Sequence, residues 1–240
     1  MSGAVPDEIP RVTARRASRA RGPSRSAILK VSRRLYATSD YSGVTMRSIA
    51  KKVGCRSPSL YHYFQSKDEI FRALADEGLA LFEGFMPTSD SSDPLDRLWW
   101  RFWRYYEFSK AHPEYFRLLF IDRPTPVGDE TRHSRAMSGA ETHQCIQECV
   151  AAGLLPAETD PKEAAVVLYC TIHGAAVLGM LGQCRPLTAD LLAERTLRLA
   201  IDGVRAGLLG VPSSSSGRLA EIQIARAPVA DKPLSDQANA

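Results

Sequence analysis

Between Thr45 and Lys67 the chain reads TMRSIAKKVGCRSPSLYHYFQSK, and this stretch holds the residues best suited to chemistry. The chemistry is recognition rather than bond breaking. Ser57 and Ser59 are small, so a helix that starts with them can approach a groove closely. Tyr61 and His62 offer hydrogen bonds together with aromatic faces. Lys67 would open a following helix, where its charge and the free N–H groups of the first turn can hold a phosphate. Arg47 can reach a phosphate or a guanine edge. Ile49, Val53, Leu60 and Phe64 read as the apolar core of the same unit. The competing reading makes Tyr61, Tyr63 and Phe64 a core stripe on a short helix. An aromatic stripe alone favours that reading, but a glycine turn, a Ser-Pro helix start and a downstream Lys all favour contact with a polyanion.

The elements that must position these residues are helices. Thr45 starts a short one with Met46, Ile49, Ala50 and Val53 apolar, and Gly54 is placed to stop it. Ser57-Pro58 pairs an N-cap with a proline at the first helical position. Gly54-Cys55-Arg56 is a turn short enough to set the two helices at a steep angle, so that the second enters a major groove. Upstream, Ser24 caps a helix carrying Ile28, Val31 and Leu35. Downstream, Ser66-Lys67-Asp68-Glu69 is a capping box before Ile70, Phe71, Leu74, Leu81 and Phe82. Asp93-Pro94 and Asp160-Pro161 open further helices, and residues 131–153 read as another. Thr188 caps the last, which carries Leu197, Ile201, Val204 and Leu208 before Gly210. No strand alternation appears, so the expected class is all-α: a three-helix helix-turn-helix domain plus a larger helical domain.

Charge supports this division. The 240 residues carry a net +4, an unremarkable value. Residues 1–72, however, hold 15 Lys+Arg against 5 Asp+Glu, and residues 73–240 hold 16 against 22. A basic third on an acidic body points to a polyanion partner for that third. Residues 1–23 read as a disordered arm with Arg11, Arg15, Arg16, Arg19 and Arg21, followed by Arg25. Such an arm either enters a minor groove or is simply solvated. Residues 212–240 read as a tail. Domains are expected at 24–84 and 85–211.

At the residues quoted above the sequence resembles the TetR family of bacterial transcriptional regulators. Tyr36, Tyr41, Thr45, Ile49-Ala50, Gly54, Leu60-Tyr61, Tyr63-Phe64, Lys67 and Asp68-Glu69 stand at the family's signature positions, over about residues 25–75. Asp40 departs from the Gly usual before the aromatic, and Cys55-Arg56 from the commoner Val-Ser. The resemblance implies DNA contacts at Thr45, Arg47, Arg56, Ser57, Ser59, Tyr61, His62, Tyr63 and Lys67. It also implies a helical body that dimerises and often binds a small ligand.

In the body, residues 99–120 hold ten of the nineteen aromatics, including all three tryptophans. That arc is too wide for a helix packed on one side. The helix is either buried between neighbours or lines an apolar cavity. For a cavity, Trp99, Phe102, Trp103, Tyr106, Phe116, Phe120 and His173 are the candidate ligand contacts, and the effector is expected to be hydrophobic. Ala164–Gly182 is apolar nearly all round. As it stands alone and includes His173 and three glycines, it reads as a packed helix, not a membrane span. With the Thr188–Leu209 helix it is the expected homodimer surface, a four-helix bundle over a near-palindromic operator.

Other functions find little support. The five cysteines, odd in number and scattered, form no disulfide framework. His143, Cys145 and Cys149 fall near one another on a helix but lack the fourth ligand of a zinc site, so no metal or cofactor is expected. No P-loop, dinucleotide fingerprint, HExxH or Gly-x-Ser-x-Gly elbow occurs, which argues against an enzyme. No signal peptide is read, so the expected location is the cytoplasm. The expected function is a homodimeric repressor released by a small hydrophobic effector. The alternative is an architectural or adaptor DNA-binding protein without a sensor.

Overall fold

A computed structural model describes residues 23–86, 90–122 and 139–209; the arm, the tail and residues 131–138 lie outside these. All regular structure among the described residues is helical. The helices are α1 (Arg25–Ala37), α2 (Met46–Val53), α3 (Ser57–Tyr61), α4 (Lys67–Phe85), α5 (Pro94–Ala111) and α6 (Pro113–Phe116). The last runs into a π-helical turn, Arg117–Asp122. After it come α7 (Ala140–Ala151), α8 (Pro161–Met180) and α9 (Ala189–Arg205). The chain forms two compact units. Among described residues the first comprises 23–82 and 112–122, and the second comprises 83–111 and 139–209.

Local signals start and stop the helices of the first unit. Ser24 Oγ accepts the Ala27 N–H at 3.1 Å and starts α1. Thr45 and Ser48 cap α2 reciprocally, each side chain accepting the other's backbone N–H at 3.0 Å. Gly54 ends α2 at φ 84°, a conformation that costs a side-chain-bearing residue and suits glycine. Asp40, the departure from the family pattern, builds the turn before α2. Its carboxylate accepts from Ser42 Oγ and Gly43 N–H, both at 2.7 Å. At α3 the sequence expectation is off by one residue. Arg56 occupies the N-cap without a side-chain bond, Ser57 is already helical, and Pro58 follows inside the first turn. The core is Ile28, Tyr36, Ile49, Leu60, Phe64, Ile70, Phe71 and Leu74, all at most 1% exposed.

Residues 112–122 complete that core. Tyr115, Phe116, Leu118 and Leu119 are buried, and Phe120 packs edge-on against Phe82 at 5.3 Å. Two polar clusters fix this segment to α1. Tyr36 donates to Asp122 Oδ2 at 2.6 Å, while Arg117 pairs with Asp122 at 2.8 Å and lies 4.8 Å over the Tyr36 ring. Arg33 reaches Glu114 at 3.5 Å and donates to the Tyr115 hydroxyl at 3.1 Å. Tyr36 with Asp122 and Arg33 with Glu114 are charge-assisted contacts between positions more than 80 residues apart.

In the second unit α5 is packed against α7, α8 and α9. That three-sided burial accounts for its wide aromatic arc: Leu98, Phe102, Tyr105, Tyr106 and Phe108 are buried, while Trp100 stays 48% exposed. Asp160 and Thr188 cap α8 and α9 as their sequence predicts. The positive-φ residue after α9 is Gly207 at 74°, so the helix stops before Gly210. Polar ties join the helices of this unit. Arg101 donates to the buried Thr142 at 2.6 Å and pairs with Glu141, Arg97 pairs with Glu148, and Tyr106 and Lys110 both reach Asp190 Oδ1 at 2.6 Å. α8 is long and apolar enough to cross a membrane by length and composition alone. One side of it packs on α5, α7 and α9.

Candidate nucleic-acid interface

The three-residue turn Gly54-Cys55-Arg56 joins α2 to α3, and the division between core and surface across them is clean. Ile49 and Leu60 point inward at 0% exposure, with Phe64 beneath them. Val53, assigned to the same core from its spacing, is only half-buried. Tyr61 and Tyr63, which a core stripe would bury, stand 46% and 40% exposed. Their ring faces and hydroxyls are therefore available to a partner. Thr45, Arg47, Arg56 and His62 are exposed too, and Ser57 and Ser59 are half-buried on the same short segment. A helix with small residues at its start and donors along its open side is what a major groove admits.

Lys67 differs from the other eight. Its ammonium donates to the Tyr41 carbonyl at 3.0 Å and sits 3.7 Å above the Tyr41 ring. Tyr41 also donates its hydroxyl to Asp68 and packs edge-on against Phe71 at 4.8 Å. Burial and the Asp68 carboxylate push the Tyr41 phenol up to about 12, so it remains a donor at any physiological pH. Lys67 and Tyr41 thus tie the start of α4 to the turn that precedes α2. The capping box at this point is also shifted. Ser66 Oγ accepts from Glu69 N–H at 3.1 Å, but the Glu69 carboxylate accepts from Gln65 rather than Ser66. Sequence reading missed one further contact: the Arg25 guanidinium lies 4.9 Å over the Phe64 ring, placing that cation against the motif's core. The basic residue and the aromatic were both visible, but nothing local paired them.

The seven candidate effector contacts divide between the units. Trp99, Phe102, Trp103, Tyr106 and His173 belong to the second, Phe116 and Phe120 to the first. Trp99 and Trp103 stack at 6.2 Å with an 11° interplanar angle, and Trp103 meets Tyr106 at 5.2 Å. Trp99 also lines a surface groove of about 370 Å³ with Leu95, Ile201, Arg198 and Arg205. His173 does not join the tryptophans. Its Nδ1 lies 2.8 Å from the Tyr105 hydroxyl and 3.3 Å from that of Tyr169, in a half-buried polar cluster between α5 and α8. Burial lowers the His173 pKa, which favours a neutral ring able to accept one of these hydroxyls.

A short helix-turn-helix with an open, donor-rich second helix, in a chain whose other described elements are helical, defines a helix-turn-helix protein with an appended helical domain. A profile of "Bacterial regulatory proteins, tetR family" matches residues 28–74, and one of "Tetracyclin repressor-like, C-terminal domain" matches residues 103–203. The chain belongs to the TetR family.

Among curated proteins it is 30% identical over 137 residues to the HTH-type transcriptional repressor KstR2 of Mycobacterium tuberculosis, covering 52% of this chain and 67% of that one. It is 38% identical over 56 residues to the repressor AcnR of Corynebacterium diphtheriae, covering 23% of this chain and 30% of AcnR. The AcnR match therefore spans less than a third of that protein's length. Among solved structures the fold is similar to FadR from Bacillus subtilis in complex with stearoyl-CoA, with a TM-score of 0.60, 14% identity, and 75% and 100% of the two chains covered. It is similar also to AibR in complex with isovaleryl coenzyme A and operator DNA, with a TM-score of 0.58, 21% identity, and 73% and 96% covered.

Proposed function

We propose that the protein is a cytoplasmic, homodimeric transcriptional repressor that leaves its operator when a small hydrophobic effector binds the helical body. The observation that carries the DNA-binding part is the exposure of Tyr61, His62, Tyr63, Arg47 and Arg56 around a fully buried Ile49–Leu60–Phe64 core. In this reading Ser57, Ser59, Tyr61 and His62 approach base edges, while Thr45, Arg47, Arg56 and Tyr63 hold phosphates. Lys67 and Tyr41 set the angle at which α4 leaves the motif. The protein binds rather than catalyses, and needs no cofactor.

Dimerisation is proposed at α8 and α9. Val166, Cys170, Gly174, Leu178 and Leu181 recur every three or four residues along one side of α8. Val166 and Leu181 are 55% and 61% exposed, and a side chain at Gly174 would meet no atom within 4 Å. A second copy laid on this stripe would bury it in a four-helix bundle and give the operator its two-fold symmetry. The effector is proposed to be an acyl thioester or a similarly hydrophobic molecule. This rests on the aromatic lining of α5 and on the acyl-CoA ligands named for AibR and FadR.

Selection of the preferred sequence from a random duplex pool, followed by gel-shift titration with and without an acyl-CoA panel, tests the proposal. A near-palindromic site bound by a dimer and released by one of these compounds is the expected result. Sequence-independent binding that no compound affects would favour an architectural role instead.

A further inference from the structure

α5 and α9 are tied at one end and open at the other. Near the end of α5, Tyr106 and Lys110 both hold Asp190 of α9 at 2.6 Å. Near its start, the same two helices border the surface groove of about 370 Å³. Leu95 and Trp99 line it from α5 and are half-buried, while Ile201 lines it from α9 at 5% exposure. Arg198 and Arg205 stand on the α9 rim with 65% and 48% of their side chains exposed, and Asp96 and Asp202 complete the lining. We propose that this groove binds a planar aromatic monocarboxylate, with the carboxylate on Arg205 and the ring against Trp99.

Size and lining choose the ring. The groove volume falls at the small end of the range for small-molecule sites, about 300–1,000 Å³. Arg198 and Arg205 are seven residues apart on one helix, so they are separated by about 10 Å along its axis. That length suits a fused bicyclic ring with one carboxylate. Trp99 offers such a ring a wall that is already fixed. Trp103 stacks on it at 6.2 Å with an 11° interplanar angle, and the Arg198 guanidinium lies 5.9 Å over its ring. This last distance is near the outer limit of a cation–π contact, about 6 Å, so a second aromatic ring can share the cation at little cost. A rigid ring laid on Leu95, Trp99 and Ile201 removes apolar surface from water without ordering a flexible chain.

Charge chooses the single carboxylate. Arg198 is engaged by Glu194 at 3.0 Å, whereas Arg205 meets Asp202 only at 3.7 Å, longer than a hydrogen bond. Exposed pairs three residues apart on one helix contribute little, so the Arg205 fork can turn to a ligand carboxylate and match it with two parallel N–H bonds. Asp96 and Asp202 in the same lining repel a second or third negative charge. A polyphosphate such as that of coenzyme A is thereby disfavoured. The groove is therefore a site separate from the one proposed for an acyl thioester in the helical body.

The test titrates 2-naphthoate into the nitrogen-15-labelled full chain and follows the indole N–H signals by NMR, with Trp99→Phe identifying the Trp99 signal. That signal is expected to shift and saturate. Arg205→Gln should weaken the binding it reports by about 10-fold or more, the loss of a charge-assisted hydrogen bond. Arg205→Lys keeps the charge without the fork and should restore only part of the affinity. Arg198→Gln should weaken binding by about 2- to 5-fold, the size of an exposed cation–π contact. Both arginines are exposed, so these variants keep the fold. The uncharged 2-naphthalenemethanol should bind about 10-fold more weakly than 2-naphthoate, and 2-naphthyl phosphate as its dianion no more tightly. A Trp99 signal that does not saturate, or an affinity that Arg205→Gln leaves unchanged, would overturn the proposal. Equal binding of the alcohol or tighter binding of the phosphate would do the same. None of these measurements contains DNA or acyl-CoA, so their failure is distinct from failure of the repressor reading.

Discussion

At Gly78 α4 closely approaches Tyr115 and Leu119, and replacing it with Ala sets two effects against each other. A Cβ there would lie 2.8 Å from Tyr115 Cδ1 and 3.3 Å from Leu119 Cδ1. The first distance is one that real Cβ atoms do not tolerate, so something must move. Tyr115 is poorly placed to yield. It is 1% exposed, its hydroxyl accepts from Arg33, and the Arg33 guanidinium stacks 5.1 Å from its ring centre. Overpacking of this kind costs about 1–3 kcal/mol. Against it, Ala is better than Gly inside a helix by about 1 kcal/mol.

The net expectation for Gly78→Ala is a loss of about 1 kcal/mol or more, since the clash falls at the upper end of that range. Gly84 is the internal control. It lies on the same helix, and a methyl group there would meet nothing within 4 Å, so Gly84→Ala should gain up to about 1 kcal/mol. Urea denaturation followed by far-UV circular dichroism, with both variants beside the parent, reads the difference as a shift in midpoint at constant slope. If Gly78→Ala proves as stable as Gly84→Ala, the close approach of α4 to Tyr115 is wrong.

Further outcomes are expected. Tyr61→Ala should weaken operator binding by about 1–3 kcal/mol and relax its sequence preference, whereas Arg56→Met should weaken all duplexes alike and lower the salt slope by about one; gel-shift titrations at several salt concentrations separate the two. Removing residues 1–22 should flatten the salt dependence further, and an unchanged slope would reject a role for the arm. Tyr36→Phe removes a bond to a carboxylate and should cost about 1.5–3 kcal/mol in denaturation experiments. Hydrogen bonds from Lys110 and Tyr106 lower the Asp190 pKa in the folded state. Its contribution to stability is therefore present above the unfolded carboxylate range near pH 4 and lost as pH falls through the lower folded value. Asp190→Asn should remove that part of the acid dependence. His173 is also depressed, by burial, so protons bind the unfolded chain first and stability falls as pH drops below about 6.5. His173→Gln should flatten the profile in that window, as thermal melts across pH would reveal.

Helix starts were the most legible part of this chain, because a cap is a contact between residues two or three apart. Ser24, Thr45, Asp160 and Thr188 accept the N–H groups their positions imply. The misses are shifts of one to three residues: α3 starts one residue early behind an Arg56 whose side chain makes no cap, and after α9 a second glycine, Gly207, takes the positive φ before Gly210. The split between Phe64 inside and Tyr61 and Tyr63 outside was open in the sequence, since aromatic type alone does not choose a face. Packing around Leu60 decides it. Hardest to read were pairs such as Tyr36 with Asp122 and Lys110 with Asp190, separated by 86 and 80 positions. Each residue looks like an ordinary surface group until the fold brings its partner. Lys67 adds a contact of the same kind: its type and place suggest a phosphate ligand, and its ammonium also donates to Tyr41, 26 positions away.

The first unit is assembled from two separate stretches of chain, and this matters to anyone who would transplant it. A cut after residue 84 would carry away the whole helix-turn-helix yet leave Tyr115, Phe116, Leu118 and Leu119 behind, with Tyr36 and Arg33 stripped of their anchors. The excised head should therefore be soluble only poorly and read DNA loosely. A chimera intended to carry this operator preference onto another regulator needs two junctions, one near residue 82 and one near 112, with the π-helical turn included in the graft.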